Sequence, residues 1–331
     1  LCGDNDSLCH IFLIMVINPE TALDQARVLL VDIGGTNVRT CSANIGSSEL
    51  INPQKNNTSC LKSFDALIAN FLTEDPSIQH IVFSVAGPRL NDSISMTNRD
   101  FTLDANEVLK KFDISSCHVL NDWESIGHSL SLFDQSDMDT IIQGQSFNKT
   151  ALILGPGTGL GASLVVDNQI VLPTEIGNST FSINSMLIGS ELNYSEDFHV
   201  LEDLISGRGI SNIYKEYSGL EKSSEEILMS YNSDHLAKKS IDQFLVCLPQ
   251  VLSELALAYM PGNGIFLAGG LMRSLMQHIN PLKFKECFLM NRKIMHADIL
   301  SNIPVFLIQK EMTCLHGNLN YINKFFLRNA R

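Results

Sequence analysis

The same local pattern occurs twice in this chain: an apolar strand runs into a glycine-rich turn and then into a second strand. The first copy covers residues 28–43 and the second covers residues 151–166. A short apolar run that ends in glycine is typical of a strand entering a turn, so each copy predicts a β-hairpin. The repeat indicates an internal duplication with two related halves.

Between and after the hairpins, apolar residues recur with the spacing of helices and buried strands. The pattern predicts further strands at 81–86, 118–120 and 264–268, and helices at 63–72, 104–112, 123–130, 200–205, 241–259 and 314–327. Strands that alternate with helices favour an α/β fold with a partly parallel sheet. A chain of 331 residues exceeds the usual size of one hydrophobic core, so we expect two domains with a cleft between them.

Composition excludes several classes of function. The 36 acidic and 23 basic residues give a formal charge of −13, which would repel nucleic acid. The eight cysteines are scattered without zinc-type spacing, as expected for reduced thiols in the cytoplasm. The apolar stretch 11–17 is too short to span a bilayer. We therefore expect a cytoplasmic protein with neither nucleic acid nor a membrane as its partner.

The two hairpin turns offer backbone N–H groups to an anion. In the first, Asp32 is followed by Gly-Gly-Thr-Asn at 34–37, and a carboxylate beside glycines suits magnesium and phosphate. Taken alone, this turn is equally consistent with an ordinary hairpin turn. The second turn, 155–161, adds N–H donors and the hydroxyl of Thr158, so two turns could bracket a triphosphate. Neither turn fits GxxxxGK[ST] or the dinucleotide pattern GxGxxG.

Three further carboxylates are candidates for chemistry. Asp122 follows Asn121 at the end of a predicted strand, where clefts of α/β sheets lie, although either side chain could merely cap the next helix. Glu175 follows the second hairpin, and Glu202 stands at the start of a predicted helix that ends in a glycine turn. By themselves they are better explained as a loop glutamate and as a first-turn glutamate favoured by the helix dipole.

In order along the chain, seven segments resemble those of the bacterial glucokinases: 31–37, 96–98, 120–122, 157–161, 175–178, 202–209 and 267–270. The resemblance covers nearly everything after residue 28. It implies an α/β, two-domain, actin-like (ribonuclease H-like) ATPase fold with a cleft between the domains. It further implies an N-terminal extension (1–27), a small domain (28–130, with the C-terminal helix 314–331) and a large domain (131–313).

The resemblance also implies roles for individual residues in an ATP- and Mg²⁺-dependent glucokinase of glycolysis, with a homodimeric assembly. Asp122 falls on the general base for the sugar 6-hydroxyl. The sugar contacts would be Asn98, Asn121, Asp122, Glu175, Asn178 and Glu202. The nucleotide contacts would be Asp32, Gly34, Gly35, Thr36, Asn37, Gly157, Thr158, Gly159, Gly161, Gly269 and Gly270. Among these, Asp32 would hold Mg²⁺ through water.

Two departures from the family pattern keep alternatives open. The family's Glu-Gly-Gly-His stands here as Glu175-Ile176-Gly177-Asn178, so the sugar could be another hexose such as mannose, fructose or an N-acetylated hexosamine. Pro156 removes one N–H donor from the second turn, which we expect to be tolerated. A non-catalytic, sugar-responsive regulator on the same fold is a further alternative. An actin- or chaperone-like ATPase should lack the pair of glutamates at 175 and 202.

Overall fold

The structure is a computed structural model that describes residues 26–96, 99–181, 183, 187, 192 and 197–329. Within them the strands are β1 (Arg27–Ile33), β2 (Asn37–Asn44), β3 (Ile51–Asn57), β4 (Ile78–Val85), β5 (Arg89–Leu90), β6 (Ser93–Ser95), β7 (Thr102–Asp104), β8 (Ser116–Asn121), β9 (Met138–Ile142), β10 (Thr150–Pro156), β11 (Leu160–Val166), β12 (Ile170–Thr174), β13 (Gly264–Leu267) and β14 (Val305–Ile308). The helices are α1 (Phe64–Glu74), α2 (Ala105–Lys111), α3 (Asp122–Ser129), α4 (Gly207–Ser218), α5 (Ser224–Met229), α6 (His235–Tyr259), α7 (Gly270–Leu275), α8 (Pro281–Leu289), α9 (Ile294–Ser301) and α10 (Thr313–Asn329). The predicted α/β class is confirmed.

In the described part of the chain, the first sheet has the strand order β3-β2-β1-β4-β8. β1 is antiparallel to β2 and parallel to β4, and β4 is parallel to β8. The register places Ile33 opposite Val85, and Val85 opposite Asn121. The carboxyl ends of these three parallel strands therefore meet at one edge, where ligand clefts of α/β sheets lie.

The second sheet has the order β12-β11-β10-β13-β14-β9 in the same described residues. Its first five strands repeat the arrangement of the first sheet, with an antiparallel meander followed by two strands parallel to β10. β9 adds an antiparallel edge strand beside β14. The shared order supports the internal duplication that the two hairpins predicted.

Strand β1 is apolar throughout because both faces of its sheet are covered. Leu29 and Val31 pack in a core with residues of α1 and α2, whereas Val28 and Leu30 pack in another with residues of α10. Successive side chains of a strand point to opposite faces, so a strand buried on both faces reads as a continuous apolar run.

The C-terminal helix α10 follows the last strand of the second sheet but packs against the first sheet. Leu315, Leu319 and Ile322 are fully buried there. Asn318 is buried among them: its Nδ2 donates to a β1 carbonyl at 3.3 Å, and its Oδ1 accepts from Ser125 Oγ at 2.7 Å. A buried amide needs such partners, and here they join α10 to both β1 and α3.

Helix α6 is the core helix of the second sheet. Among the described residues, it alone is long and apolar enough to cross a membrane by length and composition. Phe244, Leu248 and Leu252 are, however, fully buried in the hydrophobic core. Of the most apolar stretch of α6, 56% is buried within the protein. These contacts account for its apolar character.

The helix predicted at 200–205 was wrong. The structure has a 3₁₀ turn at Leu201–Asp203, and the glycine-rich stretch begins α4 instead of ending a helix. Ser206 caps α4, since its Oγ accepts from the Gly209 N–H at 3.1 Å. The Gly207 N–H donates to the Gly157 carbonyl at 2.8 Å, so a contact distant in sequence helps to set where the chain turns. The other predicted strands and helices are confirmed with shifted ends.

Candidate active site

Asp32 and Asp122 lie at the shared carboxyl edge of the first sheet. Asp32 is the penultimate residue of β1, and Asp122 is the first residue of α3, directly after β8. The parallel register of β1, β4 and β8 brings these ends together. The negative charge of Asp32 raises the pKa of Asp122, which places the two carboxylates within electrostatic reach of each other.

Asn121 is the N-cap of α3, as the capping alternative predicted. Its Oδ1 accepts from the N–H groups of Trp123 (2.9 Å) and Glu124 (3.2 Å), and the Glu124 carboxylate accepts from the Asn121 N–H at 3.3 Å. Its Nδ2 donates to the Gly87 carbonyl at 2.9 Å. This capping box leaves the amide little freedom, and it fixes the direction in which α3 starts.

Asp122 does not cap α3. Its carboxylate is half-buried at the carboxyl edge of the first sheet. Its Oδ1 accepts from the Trp123 N–H at 3.0 Å. Burial, followed by the charges of Asp32 and Glu175, raises the pKa of Asp122 to about 7. A carboxyl group with a pKa near neutrality can accept a proton and release it again at cellular pH, which suits a general base.

Asp32 is almost fully buried and already has two partners. Arg39 Nη1 donates to its Oδ2 at 2.8 Å, and Ser84 Oγ donates to its Oδ1 at 3.1 Å. In the described residues, no cluster of three or more His, Cys, Asp or Glu side chains could hold a metal ion. Mg²⁺ at nucleotide sites takes one or two carboxylates and completes its shell with waters and phosphates. A single carboxylate therefore fits Mg²⁺ only in that indirect way.

Cys314 lies beside both aspartates, although nothing in the scattered cysteines pointed to it. Its Sγ is 3.7 Å from the backbone oxygen of Asp122. Burial and the two negative charges raise the pKa of the thiol well above its usual range. Cys314 is therefore a neutral thiol at physiological pH.

The first glycine turn is short and open. The Gly34 N–H donates to the Asn37 carbonyl at 3.0 Å and closes the turn. Gly35 and Thr36 are exposed at its tip, and the Gly35 carbonyl accepts from Arg99 at 3.1 Å.

The second turn is shorter than the sequence predicted. Gly155 and Gly161 face each other as paired residues of β10 and β11, so the loop narrows to 157–159. The Gly157 N–H donates to the Gly159 carbonyl at 2.8 Å. The hydroxyl-bearing Thr158 is exposed at the tip. Fewer free N–H donors are present than a seven-residue nest would supply, because strand pairing extends to both flanking glycines.

Trp123 joins the two sheets at this point. A Cβ at Gly161 would lie 1.6 Å from Trp123 Nε1, and a Cβ at Gly155 would lie 2.2 Å from its Cη2. The indole therefore rests directly on the backbone of β10 and β11, where only glycine allows so close an approach. Ser163 Oγ also donates to the Trp123 carbonyl at 2.8 Å. The residue after Asp122 is thereby packed against the second sheet.

Glu175 precedes the 3₁₀ turn that follows β12 (Ile176–Asn178), Asn178 ends it, and both side chains lie at the surface. Asn178 Nδ2 lies 3.5 Å from Glu175 Oε2. Partial desolvation and the charge of Glu202 raise the pKa of Glu175 against the opposing effect of the Asn178 hydrogen bond, and the charge of Glu175 in turn raises the pKa of Asp122. Carboxylates from distant segments thus share one electrostatic environment.

Glu202 connects the second glycine turn to α4. Its Oε2 accepts from the Leu160 N–H at 3.3 Å, and a Cβ at Gly159 would lie 2.5 Å from the same oxygen. Its Oε1 accepts from Arg208 Nη2 at 2.6 Å, and Arg208 also contacts Asp203 at 3.0 Å. Sequence analysis missed Arg208 as a site residue, although it stands six residues from Glu202 in the same segment.

Three more predicted positions complete the description. Gly269 has a φ of +104°, which favours glycine. A Cβ added at Gly269 would lie 3.6 Å from the Pro156 carbonyl oxygen, so this residue lies beside the end of β10. Gly270 is exposed at the start of α7. Asn98 lies outside the described residues, so its predicted sugar contact stays a prediction.

The model of the family described as Glucokinase matches residues 29–324, which is most of the chain. This chain belongs to the glucokinase family. It is therefore a sugar phosphotransferase, and the resemblance seen in the seven segments is confirmed. The glucokinase of Mesorhizobium japonicum is 27% identical over 320 residues, covering 89% of this chain and 91% of that protein.

Solved structures agree on the fold. A glucokinase from an Antarctic psychrotroph covers 90% of this chain and 99% of its own, with a TM-score of 0.76 and 23% identity. A ROK family glucokinase from Streptomyces griseus, solved with glucose and AMPPNP, covers 89% of this chain and 99% of its own, with a TM-score of 0.64 and 16% identity. The predicted two-domain, actin-like ATPase fold is confirmed.

Proposed function

We propose that this glucokinase-family chain transfers the γ-phosphate of ATP to the 6-hydroxyl of glucose, with Asp122 as the general base. The observation that carries the proposal is a carboxyl group with its pKa raised to about 7 at the carboxyl edge of a parallel sheet. Phosphoryl transfer requires little beyond positioning, charge neutralisation and a carboxylate that accepts the hydroxyl proton. A related enzyme solved with glucose and AMPPNP supports the choice of both substrates.

The electrostatic environment explains how Asp122 would perform this step. Its negative neighbours, Asp32 and Glu175, raise the affinity of the carboxylate for a proton. The sugar hydroxyl would lose its proton to Asp122 as the hydroxyl oxygen attacks the γ-phosphorus, while the bond from that phosphorus to the bridging oxygen breaks and ADP leaves. The capping box at Asn121 and the packing of Trp123 hold the start of α3, so the base needs little reorganisation.

The sugar would be recognised by side chains around this base. We propose that Glu175, Asn178 and Glu202 accept or donate hydrogen bonds to neighbouring hydroxyls, together with Asn121 and the predicted Asn98. Because Asn121 already uses both ends of its amide, its contribution is to orient the base and offer its one remaining N–H. The short reach of Asn178 next to Ile176 makes hexoses other than glucose the second candidate substrates.

The phosphates would lie between the two glycine turns. We propose contacts from the first turn (Gly34, Gly35, Thr36 and Asn37), from the second turn (Gly157, Thr158 and Gly159) and from Gly161 of β11, with Gly269 and Gly270 near the adenosine. Asp32 would hold Mg²⁺ through water, and the bound ion would neutralise phosphate charge. Arg39, which now donates to Asp32, would keep that carboxylate oriented.

The remaining expectations belong to the same proposal. We infer a glycolytic enzyme of the cytoplasm that acts as a homodimer, with no nucleic acid or membrane partner. The proposed domain division places residues 28–130 with the C-terminal helix 314–331 in a small domain, 131–313 in a large domain, and 1–27 in an extension. The two sheets and the return of α10 support the first two of these domains.

The test is turnover with ATP and Mg²⁺ against a panel of hexoses, following ADP release by the purified protein. Asp122→Asn should lower kcat by about 10²- to 10⁴-fold, since it removes a general base but keeps the shape of the side chain. Asp113→Asn is the matched control, because Asp113 is an exposed aspartate outside the site. Sugar binding can be followed separately by the fluorescence of Trp123, which is the single tryptophan of the chain.

The outcomes separate the candidates. Glucose-dependent ADP release that collapses in Asp122→Asn supports the glucokinase proposal. Turnover of a different hexose retains the mechanism and assigns the changed specificity to Ile176 and Asn178. Sugar binding without turnover of any hexose contradicts the kinase proposal and favours the non-catalytic regulator.

A further inference from the structure

A cavity lined by none of the predicted site residues lies between α3, α10 and the turn that joins β11 to β12. Its volume is about 130 Å³. The side chains that carry the argument come from all three elements: His128, Gln169, Tyr321, Lys324, Arg328 and Asn329. The cavity therefore touches the first sheet's C-terminal helix and a hairpin of the second sheet at once.

Two cations on one face of α10 have no acidic partner among the described residues. Lys324 and Arg328 are one helical turn apart, a spacing at which like charges repel. Within the described residues neither forms an ion pair, and Lys324 makes only long contacts of 3.4 and 3.5 Å to a carbonyl and a hydroxyl. Glu124, whose charge raises the pKa of Tyr321, is already paired with Arg89 at 3.3 Å. In a chain of net charge −13, this uncompensated pair indicates an anionic ligand.

A buried histidine with an unsatisfied ring nitrogen lines the same cavity. His128 is 9% exposed, and its Nδ1 is buried with no hydrogen-bond partner in the described part of the chain. Burial, followed by the charges of Lys324, Arg328 and Arg89, lowers the pKa of His128 to about 4. An unsatisfied buried nitrogen is costly, and a nearby anion would favour the protonated ring, whose two N–H groups are both donors.

We propose that this cavity binds a phosphate-sized anion, either inorganic phosphate or the phosphoryl group of a small phosphomonoester. Lys324 and Arg328 would supply charge, and Gln169 and Asn329 would supply neutral donors. The volume is sufficient for a phosphoryl group. An occupant would contact elements of both sheets and the helix that begins at Asp122, so binding stabilises the folded chain.

The test is a titration of the full chain, labelled at histidine, with inorganic phosphate while the ring resonances of His128 are followed by NMR. His128→Gln assigns those resonances. We expect a saturable shift at His128 and a rise in its pKa when phosphate is bound. Lys324→Gln/Arg328→Gln should weaken phosphate binding at least about tenfold, since two charge-assisted hydrogen bonds are lost. Lys110→Gln/Lys149→Gln removes the same charge at exposed positions elsewhere and should bind as the unchanged chain does.

Three results would overturn the site: no saturable shift at His128, equal weakening in both double variants, or phosphate binding reported by Trp123 fluorescence alone. Lys324→Gln by itself serves as a milder variant, and a denaturation curve verifies that each variant is folded. Glucose 6-phosphate in a parallel titration distinguishes the sources, because a phosphomonoester ligand would shift His128 at lower concentration than free phosphate. No turnover is needed, so this test is independent of the proposed kinase activity.

Discussion

The contact between Trp123 and Gly161 allows the cost of one methyl group to be derived from the structure. In Gly161→Ala the new Cβ would lie 1.6 Å from Nε1, 2.0 Å from Cδ1 and 2.2 Å from Cε2 of the indole. Carbon and nitrogen atoms in contact need roughly 3.5 Å, so the ring must move by about 2 Å. Overpacking of this kind costs about 3 kcal/mol, which corresponds to a fall in Tm of roughly 4 °C for a chain of this length.

The assay is urea denaturation and thermal unfolding of the ligand-free protein. Gly157→Ala is the matched control, because a Cβ at Gly157 meets nothing within 4 Å, and it should change the free energy of unfolding by less than about 0.5 kcal/mol. Since Asp122 precedes Trp123, Gly161→Ala should also lower kcat, whereas Gly157→Ala should act on the KM for ATP if phosphates approach that turn.

A double-mutant cycle isolates the clash. In a Trp123→Ala background, Gly161→Ala should cost less than about 1 kcal/mol, so the coupling energy is about 2 kcal/mol. The reasoning is refuted if Gly161→Ala is as stable as Gly157→Ala, or if its cost persists after the indole has been removed.

Two further predictions concern the charges around the base. Because the carboxyl of Asp122 must lose its proton to act, kcat/KM should rise with pH through about 7. Asp32→Asn should move this rise to lower pH, since it removes a nearby negative charge. A residual pH profile whose rise has not moved would contradict this. Arg208→Gln should raise the KM for the sugar by up to about tenfold, since Glu202 loses its 2.6 Å partner. The free energy of unfolding should change by less than about 1 kcal/mol, because the Arg208 side chain is half exposed. An unchanged KM would argue against a role for Arg208.

Local patterns were sufficient for the elements that carry the site. The apolar runs before 34 and before 155 predicted both hairpins, because a strand buried on both faces needs a continuous apolar sequence. The polar pair Asn121 and Asp122 after a short strand predicted a carboxylate at the sheet edge, and the structure adds that Asn121 is the cap. The α-helix predicted at 200–205 failed because Ser206 and a glycine contact distant in sequence set the boundary there.

The sequence by itself determined the α/β class, the repeated hairpins, and the residue types gathered at the strand ends. Only the tertiary structure decided which groups meet there: Arg39 on Asp32, Trp123 against Gly161, and Cys314 beside Asp122. Secondary structure follows from periodicities of two and 3.6 residues, which are local. The thiol and the aspartate are 192 residues apart, and they meet because α10 returns to bury its apolar face on the first sheet.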